Sequence, residues 1–181
     1  EEEDTVSSEK PVIARMQSLI NQWEGESHQH AIFLSCYQMM TSNVLDAIDQ
    51  EEFQDSAWVR EFLHRFAEYY FEALETYERD PASAPLVWQL AHGTARDPRS
   101  LPIENLLLGV NAHINYDLVF TLVDQLRSEW SEFSDEERAT RYADHCYVNQ
   151  VLARTIDSVQ DEVLEPAMRG MALVDRLLGP L

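Results

Sequence analysis

Apolar residues recur every three or four positions along most of this chain, the spacing that places side chains on one face of an α-helix. No stretch alternates apolar and polar residues in the manner of a half-buried strand. The chain has only 5 glycines among 181 residues, well below the usual share of about 7%, which disfavours hairpin-rich β folds. We therefore predict an all-α protein, a single-domain bundle of five or six main helices with a central buried helix.

Proline, glycine and acidic clusters mark the ends of the predicted helices. Four prolines between residues 80 and 102 bracket a short helix, and Ser134 followed by three acids is typical of a helix N-terminus. The predicted helices span residues 11–25, 28–50, 56–79, 86–95, 103–130, 134–165 and, after Pro166, 167–178. We predict that residues 1–10 form a disordered acidic tail and that residues 11–181 form one domain. The missing initiator methionine and the abrupt end lead us to expect further residues at either end of the natural protein, with the last helix cut short.

The chain is strongly acidic, with 33 Asp and Glu against 13 Lys and Arg and a formal charge of -20. Binding to nucleic acid requires the opposite sign, because lysine and arginine must displace the counterions of the phosphates. Nucleic acid and anionic membrane surfaces are therefore excluded as expected partners. Lysine occurs only at Lys10, and an acidic surface without lysine is typical of proteins kept soluble in molar salt. We predict a halophilic protein; an ordinary acidic protein is the alternative.

The two cysteines, Cys36 and Cys146, are too few for a disulfide scaffold and fit no zinc motif. No run approaches the roughly 20 apolar residues of a membrane span, and the acidic start is unlike the basic start of a signal peptide. We expect a cytoplasmic protein.

Asparagine and histidine interrupt the apolar stripes of two predicted helices. Asn111 and Asn115 fall among the leucines of the helix at 103–130, and His145 and Asn149 fall within the stripe of the next helix. A buried amide without a hydrogen bond costs roughly 1–3 kcal/mol, so these side chains need polar partners. We predict that the four meet in one buried polar cluster that binds a ligand or, alternatively, only joins two helices.

His113 and Asp117 lie one turn apart on the other side of the same helix, on a face shared with Gly109 and Tyr116. A carboxylate at this spacing can hold an imidazole in one tautomer, or both groups can ligate one metal ion. Gly109 removes a side chain from this face and leaves room for a ligand or a close helix. We predict His113 and Asp117 as catalytic residues, with Tyr116 beside them; the alternative is a partly exposed pair without chemistry.

The stretch 106–118, LLLGVNAHINYDL, resembles the signature of a prokaryotic all-helical family, domain of unknown function family 5995. Arg65-Phe66-Ala67, Trp88 and Val148-Asn149 support the resemblance, which extends from about Met16 onward. It implies that the family keeps the asparagines, histidine and aspartate of the signature, here Asn111, His113, Asn115 and Asp117, and it implies no reaction. Family members usually continue past this chain's end with another helix.

The His-x-x-x-Asp spacing also resembles one ligand pair of the zinc phospholipase C and P1-nuclease group. This likeness makes a divalent metal at His113 and Asp117 a candidate cofactor, with metal-assisted hydrolysis as the reaction. Glycine loops that cradle phosphate and the Gly-x-Ser-x-Gly nucleophile motif are absent from the sequence. We expect a small-molecule enzyme or ligand-binding protein that uses the pair, with a small molecule and a second copy of the chain as candidate partners. The alternative is a non-catalytic structural or protein-interaction domain.

Overall fold

The computed structural model describes residues 9–25, 29–127 and 130–169, and these form an all-α bundle without strands. The predicted fold class is confirmed. Residues 1–8 of the predicted tail and most of the predicted helix at 167–178 lie outside the described residues. The helices are α1 (Glu9–Gly25), α2 (His30–Asp49), α3 (Ser56–Arg79), α4 (Leu86–Ala95), α5 (Pro102–Ala112), α6 (Leu118–Leu126) and α7 (Asp135–Val159).

Local hydrogen bonds explain where the helices begin. The Asp55 carboxylate accepts from the Trp58 backbone N–H at the start of α3, and Ser134 and Glu137 form a reciprocal capping box at the start of α7.

Asp144 on α7 is buried, and its two carboxylate oxygens accept from the backbone N–H groups of Gln54 and Asp55, each at 2.8 Å. One side chain therefore attaches α7 to the turn between α2 and α3.

Helix α2 is the centre of the bundle, since it contacts α1, α3, α5 and α7. One core cluster lies along its first half and a second along its last half, where Val44 and Ile48 pack with residues of α3 and α7. The first cluster includes the fully buried side chains of Met16, Leu34, Tyr70, Phe71 and Trp88.

Helices α5 and α6 form one continuous helix, Pro102–Leu126, in which a π-helical turn at His113–Asp117 joins the two parts. In this turn the Leu118 N–H donates to the carbonyl of His113, which is the spacing of a π-helix and places one extra residue in the turn. A second π-helical turn, Gln160–Leu164, follows α7. The chain remains helical through Pro166 to residue 169, so the predicted break at Pro166 is wrong.

The α5–α6 helix is buried along one face only, so the expectation of a helix buried on most sides is wrong. Leu107 is 60% exposed and Val119 is 50% exposed. By length and composition this helix could cross a membrane. Within its most apolar 18-residue stretch, 28% is buried in the bundle. The prediction that no run of the chain could span a membrane is therefore wrong for this helix, in which polar residues divide the apolar run.

Candidate functional site

His113 and Asp117 form a buried pair inside the π-helical turn. The His113 Nδ1 and Asp117 Oδ2 atoms are 2.8 Å apart, and the side chains are 5% and 0% exposed. The two side chains meet as their spacing predicts, and the pair is buried rather than partly exposed. The wider π turn carries both side chains to the inner face of the helix.

Asp117 is held from three directions. Its Oδ1 atom accepts from the Trp88 indole N–H at 2.9 Å, its Oδ2 atom faces His113, and its backbone carbonyl accepts from the Thr121 hydroxyl at 2.8 Å. Both carboxylate oxygens are therefore engaged. Trp88 belongs to the residues that carry the family resemblance, but nothing in the sequence indicated its hydrogen bond to Asp117.

The imidazole of His113 lies between aromatic rings of α2 and α3. The Phe66 ring stacks on it with centroids 3.7 Å apart and planes at 12°, and the Tyr37 ring meets it edge-on at 4.2 Å. Burial lowers the pKa of His113 below its usual value, although Asp117 acts in the opposite direction. The ring is therefore neutral near pH 7, and its Nδ1–H donates to Asp117.

In that tautomer Nε2 carries a lone pair, and it is buried with no hydrogen-bond partner among the residues described. His113 lines an apolar cavity of about 130 Å³ between α2, α3, α7 and the α5–α6 helix. Nδ1 is turned toward Asp117, which is not among the residues of the cavity wall. The other wall residues with polar side-chain atoms are Tyr37, Thr41, Trp58, His145 and Asn149.

Two of these wall residues carry buried hydroxyl groups that the sequence did not suggest. Tyr37 and Thr41 lie one turn apart on α2, and both hydroxyls are buried without a well-formed hydrogen bond in the described part of the chain. Burial, together with the charge of Asp117, raises the pKa of Tyr37 well above its usual value, so the phenol stays protonated. Tyr37 and Thr41 therefore supply further polar atoms in an otherwise apolar wall.

The predicted four-residue polar cluster does not form. Asn111 and Asn115 are exposed and bonded to each other at 2.8 Å, so the expectation of burial is wrong. His145 and Asn149 lie on α7 at the cavity, where the Asn149 amide faces the His145 carbonyl at 3.5 Å. Asn111 and Asn115 are exposed because the bundle buries only one side of the α5–α6 helix, and both residues lie on the other side.

The two other residues predicted beside the pair also have different surroundings. Gly109 does not open space for a ligand, because a Cβ atom there would lie 2.5 Å from the ring of Phe33 on α2. Tyr116 is half-buried and packs against Phe120 with ring centroids 4.7 Å apart, away from the cavity wall. Gly109 thus serves the close approach of two helices.

The donor set does not fit the predicted metal site. Nδ1 of His113 and both oxygens of Asp117 already bond within the protein, and Nε2 of His113 is the one nitrogen left. No group of three or more His, Cys, Asp or Glu side chains in the described ranges could hold a metal ion. A zinc site needs at least three such protein ligands, and the described residues do not supply them beside His113 and Asp117.

No curated protein and no solved structure matches this chain. The model of one protein family, described as a family of unknown function, DUF5995, matches residues 10–181. This range includes the His113–Asp117 pair, Trp88 and the whole cavity wall. The chain is therefore a member of the DUF5995 family.

Proposed function

We propose that this protein binds a small, largely apolar molecule that carries one hydrogen-bond donor, and that Nε2 of His113 accepts the hydrogen bond from that donor. The observation that carries the proposal is the buried, unpartnered Nε2 atom of His113, a residue that lines an apolar cavity. A buried acceptor without a partner costs about 1–3 kcal/mol. A ligand that donates to Nε2 recovers this cost.

The surroundings of the imidazole support a role as general base. Asp117 holds the ring in the tautomer that leaves Nε2 free, and Trp88 fixes Asp117 in turn. Asp117 keeps the ring orientation fixed and offsets part of the effect of burial, which leaves the pKa of His113 below its usual value. π-Helical turns such as His113–Asp117 frequently occur at functional sites.

The cavity limits the size and chemistry of the ligand. Its volume of about 130 Å³ is close to that of an engineered cavity of about 150 Å³ that binds benzene. The ligand is therefore of the size of a substituted benzene ring.

Phenol and toluene test this proposal as a matched pair, because they have the same shape and only phenol donates a hydrogen bond. His113→Asn keeps a donor toward Asp117 and removes Nε2. We expect the ratio of phenol to toluene affinity to fall by about tenfold in this variant, which corresponds to one hydrogen bond. Calorimetry on folded protein measures both affinities, and thermal unfolding checks that the variant is folded.

Toluene binding provides the internal control, since an apolar ligand does not depend on Nε2. If wild-type protein binds neither compound, or if the affinity ratio is the same in both proteins, the proposal is wrong.

A structural clamp is the second candidate, because Trp88, Asp117 and His113 link α4 to the α5–α6 helix through both oxygens of one carboxylate. This alternative predicts that His113→Asn changes stability and no affinity.

A further inference from the structure

The outward side of the α5–α6 helix carries no charge over more than four turns. Every exposed residue between Glu104 and Asp124 is uncharged, although 25% of the whole chain is charged. Most of these residues are aliphatic, and no helix in the described ranges covers them. We call this surface the uncharged face, and it includes Ile103, Leu107, Asn111, Asn115, Val119 and Val123.

The charge of the chain limits where a second copy can contact it. A second copy of the chain carries the same charge of -20, so two copies repel each other through most of their surfaces. At the uncharged face this repulsion is weakest, and apolar side chains gain from leaving water.

The two asparagines give the face a self-complementary centre. Their mutual bond uses Asn111 Oδ1 and one N–H of Asn115, so the amide N–H groups of Asn111 and the Oδ1 atom of Asn115 remain available. In an antiparallel pair of helices, Asn111 of one copy faces Asn115 of the other, and the same contact repeats across the two-fold axis. Such reciprocity is what a two-fold interface requires.

The same register matches apolar residues along the rest of the face. With Asn111 opposite Asn115, Leu107 lies opposite Val119 and Ile103 lies opposite Val123 in the second copy. The helix of 25 residues is about 37 Å long, so contacts extend on both sides of the axis. A polar residue within an apolar seam fixes the register of paired helices.

We propose that two copies of this chain associate through the uncharged face, with their α5–α6 helices antiparallel and the Asn111–Asn115 pairs in contact at the two-fold axis. A lipid bilayer is one competing occupant. It is less favoured because the inner side of this helix carries the bonded His113–Asp117 pair within the bundle.

Sedimentation of the full chain over a range of protein concentrations tests the association. We expect a reversible dimer whose dissociation constant falls when KCl is raised from about 0.1 M to about 2 M, because screening weakens the repulsion. Leu107→Glu should raise the dissociation constant at least about tenfold, since it would bury an unpaired carboxylate. Ser18→Glu adds the same charge on an exposed position of α1 and should change it less than about twofold.

Cross-linking tests the register. In the double variant Leu107→Cys and Val119→Cys, made with Cys146→Ser, the two new thiols of one chain are about 18 Å apart along the helix, beyond the reach of a short bis-maleimide. We expect covalent dimers from the double variant and none from either single variant. Asn111→Leu should keep the association but lower the cross-linking yield, because the register is no longer fixed.

A protein that remains monomeric at concentrations up to about 0.5 mM at both salt levels overturns the proposal. Dimers that survive Leu107→Glu, or cross-linking of the single Leu107→Cys variant, overturn the assigned face or register. Binding of a monomer to phosphatidylcholine vesicles, lost in Leu107→Glu, assigns the face to a membrane instead.

Discussion

The Trp88 indole and the Asp117 carboxylate meet across α4 and the α5–α6 helix, with 2.9 Å between Nε1 and Oδ1. The side chains are 1% and 0% exposed. The bond fixes the carboxylate and directs its second oxygen toward His113. The orientation of His113 thus depends on a residue 25 positions earlier in the chain.

Trp88→Phe should destabilise the protein by about 1–3 kcal/mol, because Asp117 Oδ1 loses its partner in a buried site. Urea unfolding measures the change. Trp58→Phe is the matched control, since the Trp58 indole N–H has no partner among the described residues, and it should cost less than about 1 kcal/mol. Equal losses in the two variants would show that the hydrogen bond contributes nothing.

Asp117→Asn should reverse the proton preference of the cavity. The new amide can accept from Trp88 while its N–H₂ group donates to His113 Nδ1, so the proton moves to Nε2. We expect phenol to lose its advantage over toluene, and benzonitrile, which only accepts a hydrogen bond, to gain affinity. Calorimetry with the three compounds on both proteins measures the reversal; an unchanged order of affinities contradicts it.

Gly109→Ala should destabilise the protein by about 1–3 kcal/mol through overpacking, although alanine is the better helix former. The added Cβ atom would meet the Phe33 ring at 2.5 Å. Gly93→Ala is the control, because its Cβ atom would meet only the Tyr77 hydroxyl, at 3.8 Å, and it should stabilise by about 0.5–1 kcal/mol. Thermal unfolding of both variants decides; a stabilising Gly109→Ala would contradict the close contact.

Stability should decrease as the pH falls from about 6.5 toward 5. Burial, with the charges of His30 and Arg96, lowers the pKa of His92 to about 3. Below the unfolded pKa of about 6.5, His92 therefore binds a proton in the unfolded chain but not in the folded chain. This difference lowers the free energy of unfolding by up to about 1.4 kcal/mol per pH unit. His113, with its lowered pKa, acts in the same direction. Urea unfolding at several pH values should give a smaller slope for His92→Phe than for wild type.

Stability should rise from about 0.1 M to about 2 M KCl, because salt screens the charge of -20. Measurement in the Leu107→Glu background separates this effect from association. Equal thermal midpoints at the two salt levels would contradict the halophilic interpretation.

Local sequence signals predicted much of the fold. The spans of α3 and α4 agree with the predicted residues, since caps and prolines mark their ends. The burial of the α5–α6 helix was predicted wrongly. An apolar composition shows that burying a face would be favourable, but it does not show whether another helix packs against that face. Its asparagines, read on a 3.6-residue wheel, were placed in the core and are exposed.

The candidate site was predicted in part. The spacing of His113 and Asp117 identified the pair, because residues four apart meet on any helix. The contacts of His113 with Tyr37 and Phe66 join three helices, and no local pattern encodes them. Asp144 was also missed, since a lone aspartate in a charged helix gives no sign that it bonds a distant turn.

The extra residue of the π turn at His113–Asp117 changes the orientation of α6 about the helix axis relative to α5. Before it, Gly109 sets the angle at which the helix meets Phe33; after it, Asp124 bonds Arg65 on α3. Removing one residue from the turn would rotate the second half by about 100° relative to the first, breaking one docking contact or the other. The site residues therefore also keep the two halves of the helix in phase with different neighbours, and a deletion there would disturb the packing of the bundle as well as the His113–Asp117 pair.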